Sequence, residues 1–146
     1  MERRRPAPNA LLERADLVGL SRDDVAPGTL DATLVRLLRP GARLLVTDGV
    51  AGGSLITVLA SGGTLTDRYR SAPSAAVRDP TGAGDTCLAA LLAATLRPEL
   101  VGPQRHDVAD ALRFAAAAGS LVVEGIGIHG VPELAAVRVR AAAPAE

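Results

Sequence analysis

The sequence predicts an α/β domain with a largely parallel sheet. Apolar runs of strand length alternate with segments whose apolar residues recur at helical spacing, and the last third of the chain is helical in pattern. Glycine-rich turns follow several of the apolar runs. At 146 residues the chain is long enough for one domain with a hydrophobic core and too short for two.

The predicted elements follow one another in a regular order. Residues 1–9 are polar and contain prolines, which indicates a loose lead-in to a domain at 10–146. Strands are predicted at 15–20, 43–47 and 54–60, with weaker candidates at 65–69 and 75–78. A capped helical turn is predicted at 21–24, and helices at 29–38, 84–96, 108–123 and 132–139.

Composition excludes several classes of protein. The formal net charge is zero and no basic cluster extends beyond residues 3–5, so nucleic-acid binding is not indicated. The apolar runs are too short for a membrane span and the charged start is not a secretory signal, so the expected location is the cytoplasm. The chain has no lysine, which excludes a Walker P-loop and a Schiff-base enzyme. One cysteine and two scattered histidines indicate neither an internal disulfide nor a zinc site.

The strongest functional signal is a glycine-rich turn directly before an apolar helical run at 86–96. It reads Asp79-Pro80-Thr81-Gly82-Ala83-Gly84-Asp85. Free backbone N–H groups and the positive end of the helix dipole make such a turn a site for an anion. The carboxylate of Asp85 could take a proton from an attacking hydroxyl, so the two together suit phosphoryl transfer to an alcohol. Gly-Ala-Gly-Asp alone also fits an ordinary capping turn, in which the helix dipole favours Asp85.

Polar residues also follow two of the predicted strands. Ser21 and Asp24 come after the strand at 15–20. The Asp24 carboxylate could bind magnesium through water. The same residues also fit a helix start, with Ser21 as the N-cap and acidic residues in the first turn. Thr47, Gly49 and Gly52 come after the strand at 43–47, where glycines let the backbone approach a phosphate or ribose. Because ligands gather at the carboxyl ends of strands in open α/β sheets, all three loops are expected at one edge.

The string at 79–85 and its place before a small-residue helix resemble the C-terminal signature of the ribokinase-like (PfkB) family of carbohydrate and nucleoside kinases. The resemblance implies that Gly82, Ala83 and Gly84 form an anion hole and that Asp85 is the catalytic base. Ser21 and Asp24 stand where the family has Asn-x-x-Glu, which implies a role for Asp24 near magnesium.

The resemblance also implies a nucleotide site. The residues at 47–52 match the family pattern Thr-x-Gly-x-x-Gly, and Asp79 and Thr81 lie where many relatives bind a monovalent cation such as potassium. The segment at 111–121 is similar to the helix that closes over adenine, although Ala116 stands where the family often has asparagine. The implied nucleotide-binding residues are Thr47, Gly49, Gly52 and Thr81.

The implied fold is a Rossmann-type three-layer α/β/α sandwich with a mostly parallel sheet. The resemblance covers only the C-terminal half of the family fold, so the N-terminal half with its sugar-binding residues and β lid is expected to be absent. The implied activity is phosphoryl transfer from ATP with magnesium to a sugar-like hydroxyl. The alternative is a non-catalytic nucleotide-binding remnant, or a half that pairs with a complementing N-terminal half or with a second copy.

Overall fold

A four-stranded sheet lies at the centre of the chain in a computed structural model that describes residues 8–25, 33–103 and 107–143. The strand order is β1-β2-β3-β4. The strands are β1 (Leu17–Ser21), β2 (Arg43–Thr47), β3 (Gly53–Val58) and β4 (Thr64–Tyr69). The α-helices are α1 (Pro8–Leu12), α2 (Ala83–Leu96), α3 (Val108–Val122) and α4 (Leu134–Ala142).

The directions of the strands correct one expectation from the sequence. Strands β1 and β2 are parallel, but β2 pairs with β3 and β3 with β4 in antiparallel fashion. Only residues 48–52 separate β2 from β3, and a parallel crossover needs about a dozen residues or more. The described part of the sheet is therefore mixed rather than mostly parallel.

The sheet is apolar on both faces because the side chains of its inner strands alternate. Leu44 and Val46 of β2 point to one face, where they pack with the segment at 34–38 and with α1. Leu45 and Leu55 point to the other face and pack against α2 and α3. The result is three layers, with the long helices together on one side.

Small residues bring α3 close to the first turn of α2. A Cβ atom at Gly119 would lie 3.2 Å from the Ala83 carbonyl oxygen and 3.4 Å from Cys87 Cβ. On the opposite side of α3, Val137 of α4 packs into a third apolar cluster with Phe114. The position of the N-terminus of α2 therefore depends on α3.

Tyr69 joins β4 to α2. Its hydroxyl lies 3.8 Å from Sγ of Cys87, and its ring packs against the cluster beneath α2 and α3. Burial raises the pKa of the Tyr69 phenol and that of the Cys87 thiol. Both groups are therefore neutral side chains of the core.

Most of the predicted elements are confirmed, and two differ. Strand β2 has the predicted bounds, and α2 and α3 match their predictions to within one residue at each end. The strand predicted at 75–78 does not form, because the backbone N–H groups of Ala75 and Arg78 bond to the end of α3 instead of to a strand. The helix predicted at 29–38 lies partly outside the described residues, and its described end contains a short 3-10 turn, Val35–Leu37. None of the described helices is long and apolar enough to cross a membrane.

Candidate anion-binding and catalytic site

Helix α2 begins at a glycine in a left-handed conformation. Gly82 is the N-cap, with φ of +82°, and apart from its neighbours in the chain no heavy atom of the described residues lies within 4 Å of the place where its Cβ would be. No described side chain caps the helix. Glycine is favoured here because a side chain at this φ is strained, and its small size leaves the start of the helix open.

The first turn of α2 has unpaired hydrogen-bond donors. The Ala83 N–H donates to the carbonyl oxygen of Pro80 at 3.3 Å, so this group of the predicted anion hole is already occupied. The N–H groups of Gly82, Gly84 and Asp85 have no acceptor among the described residues. A helix N-terminus with unpaired donors attracts anions through those donors and through the helix dipole.

The carboxylate of Asp85 lies beside these donors in the first turn of α2. The residue is exposed, and its side chain forms neither a hydrogen bond nor an ion pair with any described residue. A carboxylate without such partners is free to accept a proton from a bound hydroxyl. The structure thus places the predicted base and most of the predicted donors together.

Thr47 connects this turn to the ends of the parallel strands. Ser21 of β1 pairs with Thr47 of β2, and the Thr47 hydroxyl donates to the carbonyl oxygen of Leu20 at 3.3 Å. The Cβ of a residue larger than glycine at position 84 would lie 3.6 Å from Thr47 Oγ1. The loops after β1 and β2 and the start of α2 therefore meet at one edge of the sheet, as the sequence predicts.

The segment after β1 forms a capping box. The Asp23 N–H donates to Ser21 Oγ at 3.4 Å, and the Ser21 N–H donates to Asp24 Oδ2 at 3.4 Å. These bonds give Ser21 and Asp24 the local structural role that was one of the two interpretations of the sequence. The Asp24 side chain remains exposed at the same edge.

Magnesium needs few ligands from the protein when nucleotide phosphates and water supply the rest. The described residues contain no group of three or more histidine, cysteine, aspartate or glutamate side chains placed to hold a metal ion. A single exposed carboxylate, Asp24, fits magnesium bound mainly by phosphate and water.

The loop between β2 and β3 contains two glycines in different surroundings. Gly49 has φ of +50° and open space at the position of a Cβ. Gly52 has φ of +97°, and its Cβ would lie only 2.2 Å from the Tyr69 carbonyl oxygen. The Arg22 guanidinium pairs with the Asp48 carboxylate at 3.1 Å and so connects this loop to the one after β1. Packing against β4 therefore accounts for Gly52, whereas Gly49 remains open to a ligand.

Alanine at these two positions should separate packing from binding. We expect Gly52→Ala to lower the free energy of unfolding by more than about 2 kcal/mol, because backbone strain adds to overlap with β4. We expect Gly49→Ala to cost about 1 kcal/mol, since only the left-handed backbone opposes it. Urea unfolding measures both values. Equal losses would contradict the packing role of Gly52.

Asp79 uses both of its carboxylate oxygens. Oδ1 accepts from the Thr81 N–H at 2.9 Å, and Oδ2 accepts from the Gly127 N–H at 3.1 Å. The hydrogen bonds from Thr81, followed by that from Gly127, hold the pKa of Asp79 below its usual value. The sequence does not predict the contact between Gly127 and Asp79, because Gly127 makes it through its backbone N–H, which every residue except proline has.

The helix that the family resemblance implies to lie over adenine is α3. Ala116 in its middle is 7% exposed and belongs to the packed interior. Alanine supplies no side-chain hydrogen bond, so a polar contact from this position is absent.

The fold and this site define an α/β domain in which a helix begins at a glycine-rich turn, with a carboxylate beside the open first-turn donors. The chain belongs to the pfkB family of carbohydrate kinases, whose sequence model matches residues 10–133. This match confirms the family resemblance seen in the 79–85 string. Comparison with curated proteins finds no match.

Solved structures confirm the ribokinase-like fold. The chain is similar to Arabidopsis thaliana ribokinase complexed with ribose and ATP, with 28% identity, a TM-score of 0.72, and coverage of 94% of this chain and 44% of that one. It is also similar to Methanocaldococcus jannaschii nucleoside kinase, with 21% identity, a TM-score of 0.65, and coverage of 89% and 40%. The ribokinase of Thermotoga maritima gives 17% identity, a TM-score of 0.66, and coverage of 90% and 43%. The chain thus spans less than half the length of these relatives.

Proposed function

We propose that residues 10–146 form the nucleotide-binding and catalytic part of an ATP-dependent phosphotransferase that acts on a sugar or sugar-like hydroxyl. The observation that carries this proposal is the Asp85 carboxylate beside the N–H groups of Gly82, Gly84 and Asp85, none of which has a partner within residues 8–25, 33–103 and 107–143. Membership of the pfkB family and the similarity to a ribokinase complexed with ribose and ATP support it.

In the proposed reaction the open first turn of α2 binds the transferring γ-phosphoryl group. Its N–H donors and the helix dipole stabilise the negative charge on the phosphoryl oxygens. Asp85 accepts the proton of the acceptor hydroxyl as the oxygen forms a bond to the γ-phosphorus. The bond from that phosphorus to the oxygen bridging to the β-phosphate breaks, and ADP leaves with the electron pair.

The remaining residues of the proposed site hold the nucleotide. We propose that Thr47, Gly49 and Thr81 lie along the nucleotide, and that Asp24 contacts magnesium through water. Magnesium bound with ATP would reduce the negative charge that the acceptor oxygen must approach. The family resemblance also implies a potassium site at Asp79, whose oxygens retain lone pairs beside those that accept the two N–H groups. We propose a cytoplasmic location for the protein.

A second candidate function is a nucleotide-binding module without activity of its own. It is favoured by β1, because among the described residues no strand pairs with the edge of β1 that faces away from β2. An unpaired edge invites another chain. A complementing half or a second copy would occupy it, and sedimentation at micromolar concentration would detect the association.

The proposed anion hole is tested by Gly84→Ala. The backbone of Gly84 is not left-handed, and its Cβ would have only Thr47 Oγ1 nearby, at 3.6 Å, so the fold should accept alanine. The added methyl group would narrow the space before the helix. We expect binding of a non-hydrolysable ATP analogue with magnesium to weaken about tenfold, the effect of losing one charge-assisted hydrogen bond. Isothermal titration calorimetry measures this.

Gly63→Ala is the matched control. Gly63 also has no left-handed backbone, its Cβ would meet only Ser61 Oγ at 3.9 Å, and it lies in the turn between β3 and β4. It should leave affinity unchanged. Equal affinities for the wild-type chain and Gly84→Ala would contradict the proposed hole, and a folded wild-type chain that binds no analogue would favour a half that needs a partner.

A further inference from the structure

The loop that leads to the anion-binding turn is attached to the end of α3. The N–H groups of Arg78 and Asp79 both donate to the carbonyl oxygen of Val123, at 2.7 and 3.2 Å. The Ala75 N–H donates to Oε1 of Glu124 at 2.7 Å. In the described part of the chain this loop belongs to no strand, so these bonds take the place of a sheet ladder.

A second attachment holds the far side of the loop. Glu124 accepts from the Arg140 guanidinium at 2.6 Å, so α4 supports the carboxylate that holds Ala75. The hydrogen bonds from Arg140 and Ala75 keep the pKa of Glu124 below its usual value. The loop is therefore fixed to the α3–α4 connection at several points.

Asp79 is the member of this set nearest to the turn. One oxygen of its carboxylate holds Thr81, which directly precedes the N-cap Gly82, and the other holds Gly127, which is 48 residues away in the sequence. Gly127 has φ of +53°, a conformation favoured by glycine. A single side chain thus fixes the entry to α2 against the α3–α4 connection.

We propose that Asp79 is a positioning residue that sets the shape of the anion-binding turn through Thr81 and Gly127. This inference rests on the proposed function for its consequence in nucleotide binding. The claim that Asp79 holds the turn in place rests on its hydrogen bonds alone.

The test is Asp79→Asn, because an asparagine side chain has one acceptor oxygen and so cannot hold both N–H groups. We expect hydrogen exchange at the amides of Thr81, Gly127 and Ala83, which are hydrogen-bonded in the wild-type chain, to become about tenfold faster, as expected for the loss of one hydrogen bond. Binding of the ATP analogue with magnesium should weaken about tenfold. The urea midpoint should match that of the control.

The matched control is Asp23→Asn, which removes the same charge from an exposed side chain at the same edge of the sheet. The Asp23 carboxylate has no hydrogen-bond or ion-pair partner among the described residues. It should change neither exchange nor affinity. All measurements use tetramethylammonium as the monovalent cation, so that bound potassium does not contribute to exchange or affinity.

Two results would overturn the proposal. Unchanged exchange in Asp79→Asn would show that the carboxylate does not hold the turn. A fall in the urea midpoint well below that of Asp23→Asn would show a general structural role. If the wild-type chain binds no analogue, the proposed function fails, and exchange at Thr81, Gly127 and Ala83 alone decides the positioning role.

Discussion

Replacing Asp85 with asparagine is expected to lower the rate of phosphoryl transfer about a hundredfold to ten-thousandfold, the range for removal of a general base. Asparagine keeps the size of the side chain but cannot accept the proton of the acceptor hydroxyl. The Asp85 carboxylate has no partner among the described residues, so its loss should disturb little else. Sugar-dependent formation of ADP, measured over a panel of sugars and nucleosides in the active form of the protein, gives the rate.

Binding separates this chemical role from a structural one. The Asp85→Asn chain should bind the ATP analogue with magnesium at least as tightly as the wild-type chain, since a negative charge beside the phosphate is removed. Asp23→Asn removes an equal charge and should retain the full rate. Unchanged transfer in Asp85→Asn would show that another group accepts the proton.

Leu45→Ala is expected to lower the free energy of unfolding by about 2–5 kcal/mol, the usual cost of emptying a leucine site in a packed core. Leu45 is 0% exposed in the middle of β2, and its side chain packs in the cluster that seats α2 and α3 on the sheet. Denaturation in urea, followed by circular dichroism, measures the loss. A cavity under α2 should also weaken analogue binding, because the start of that helix carries the proposed site.

Leu65→Ala is the control for this change. Leu65 lies on β4, is 53% exposed, and should change stability by no more than about 0.5 kcal/mol. If Leu45→Ala cost as little as Leu65→Ala, the face of the sheet under α2 would not be a close-packed core.

The sequence predicts the local parts of the structure well. The apolar run of β2, the apolar small-residue run of α2 after its glycine-rich turn, and the periodicity of α3 place these elements to within one residue. The glycines and Asp85 of the turn are consecutive, so their geometry depends mainly on a helix start that the sequence also shows. The catalytic and binding roles of these residues stay predictions.

The parts that could not be predicted depend on distant backbone atoms or on short connections. The run at 75–78 has apolar residues of strand type, but the chain supplies Val123 and Glu124 as its partners instead of a strand. The contact of Asp79 with Gly127 is made by a main-chain N–H, so the residue type at position 127 does not indicate it. The direction of β3 follows from the short loop before it, and the pattern of apolar residues does not show whether neighbouring strands are parallel or antiparallel.

The place of Tyr69 gives the chain a built-in optical probe. It is the single tyrosine, and the sequence contains no tryptophan, so the near-ultraviolet signal comes almost wholly from one ring. That ring lies between β4 and the helix that carries Gly84 and Asp85, with its hydroxyl 3.8 Å from the Cys87 sulfur. Fluorescence of the unlabelled chain therefore reports directly on the seating of this helix against the sheet.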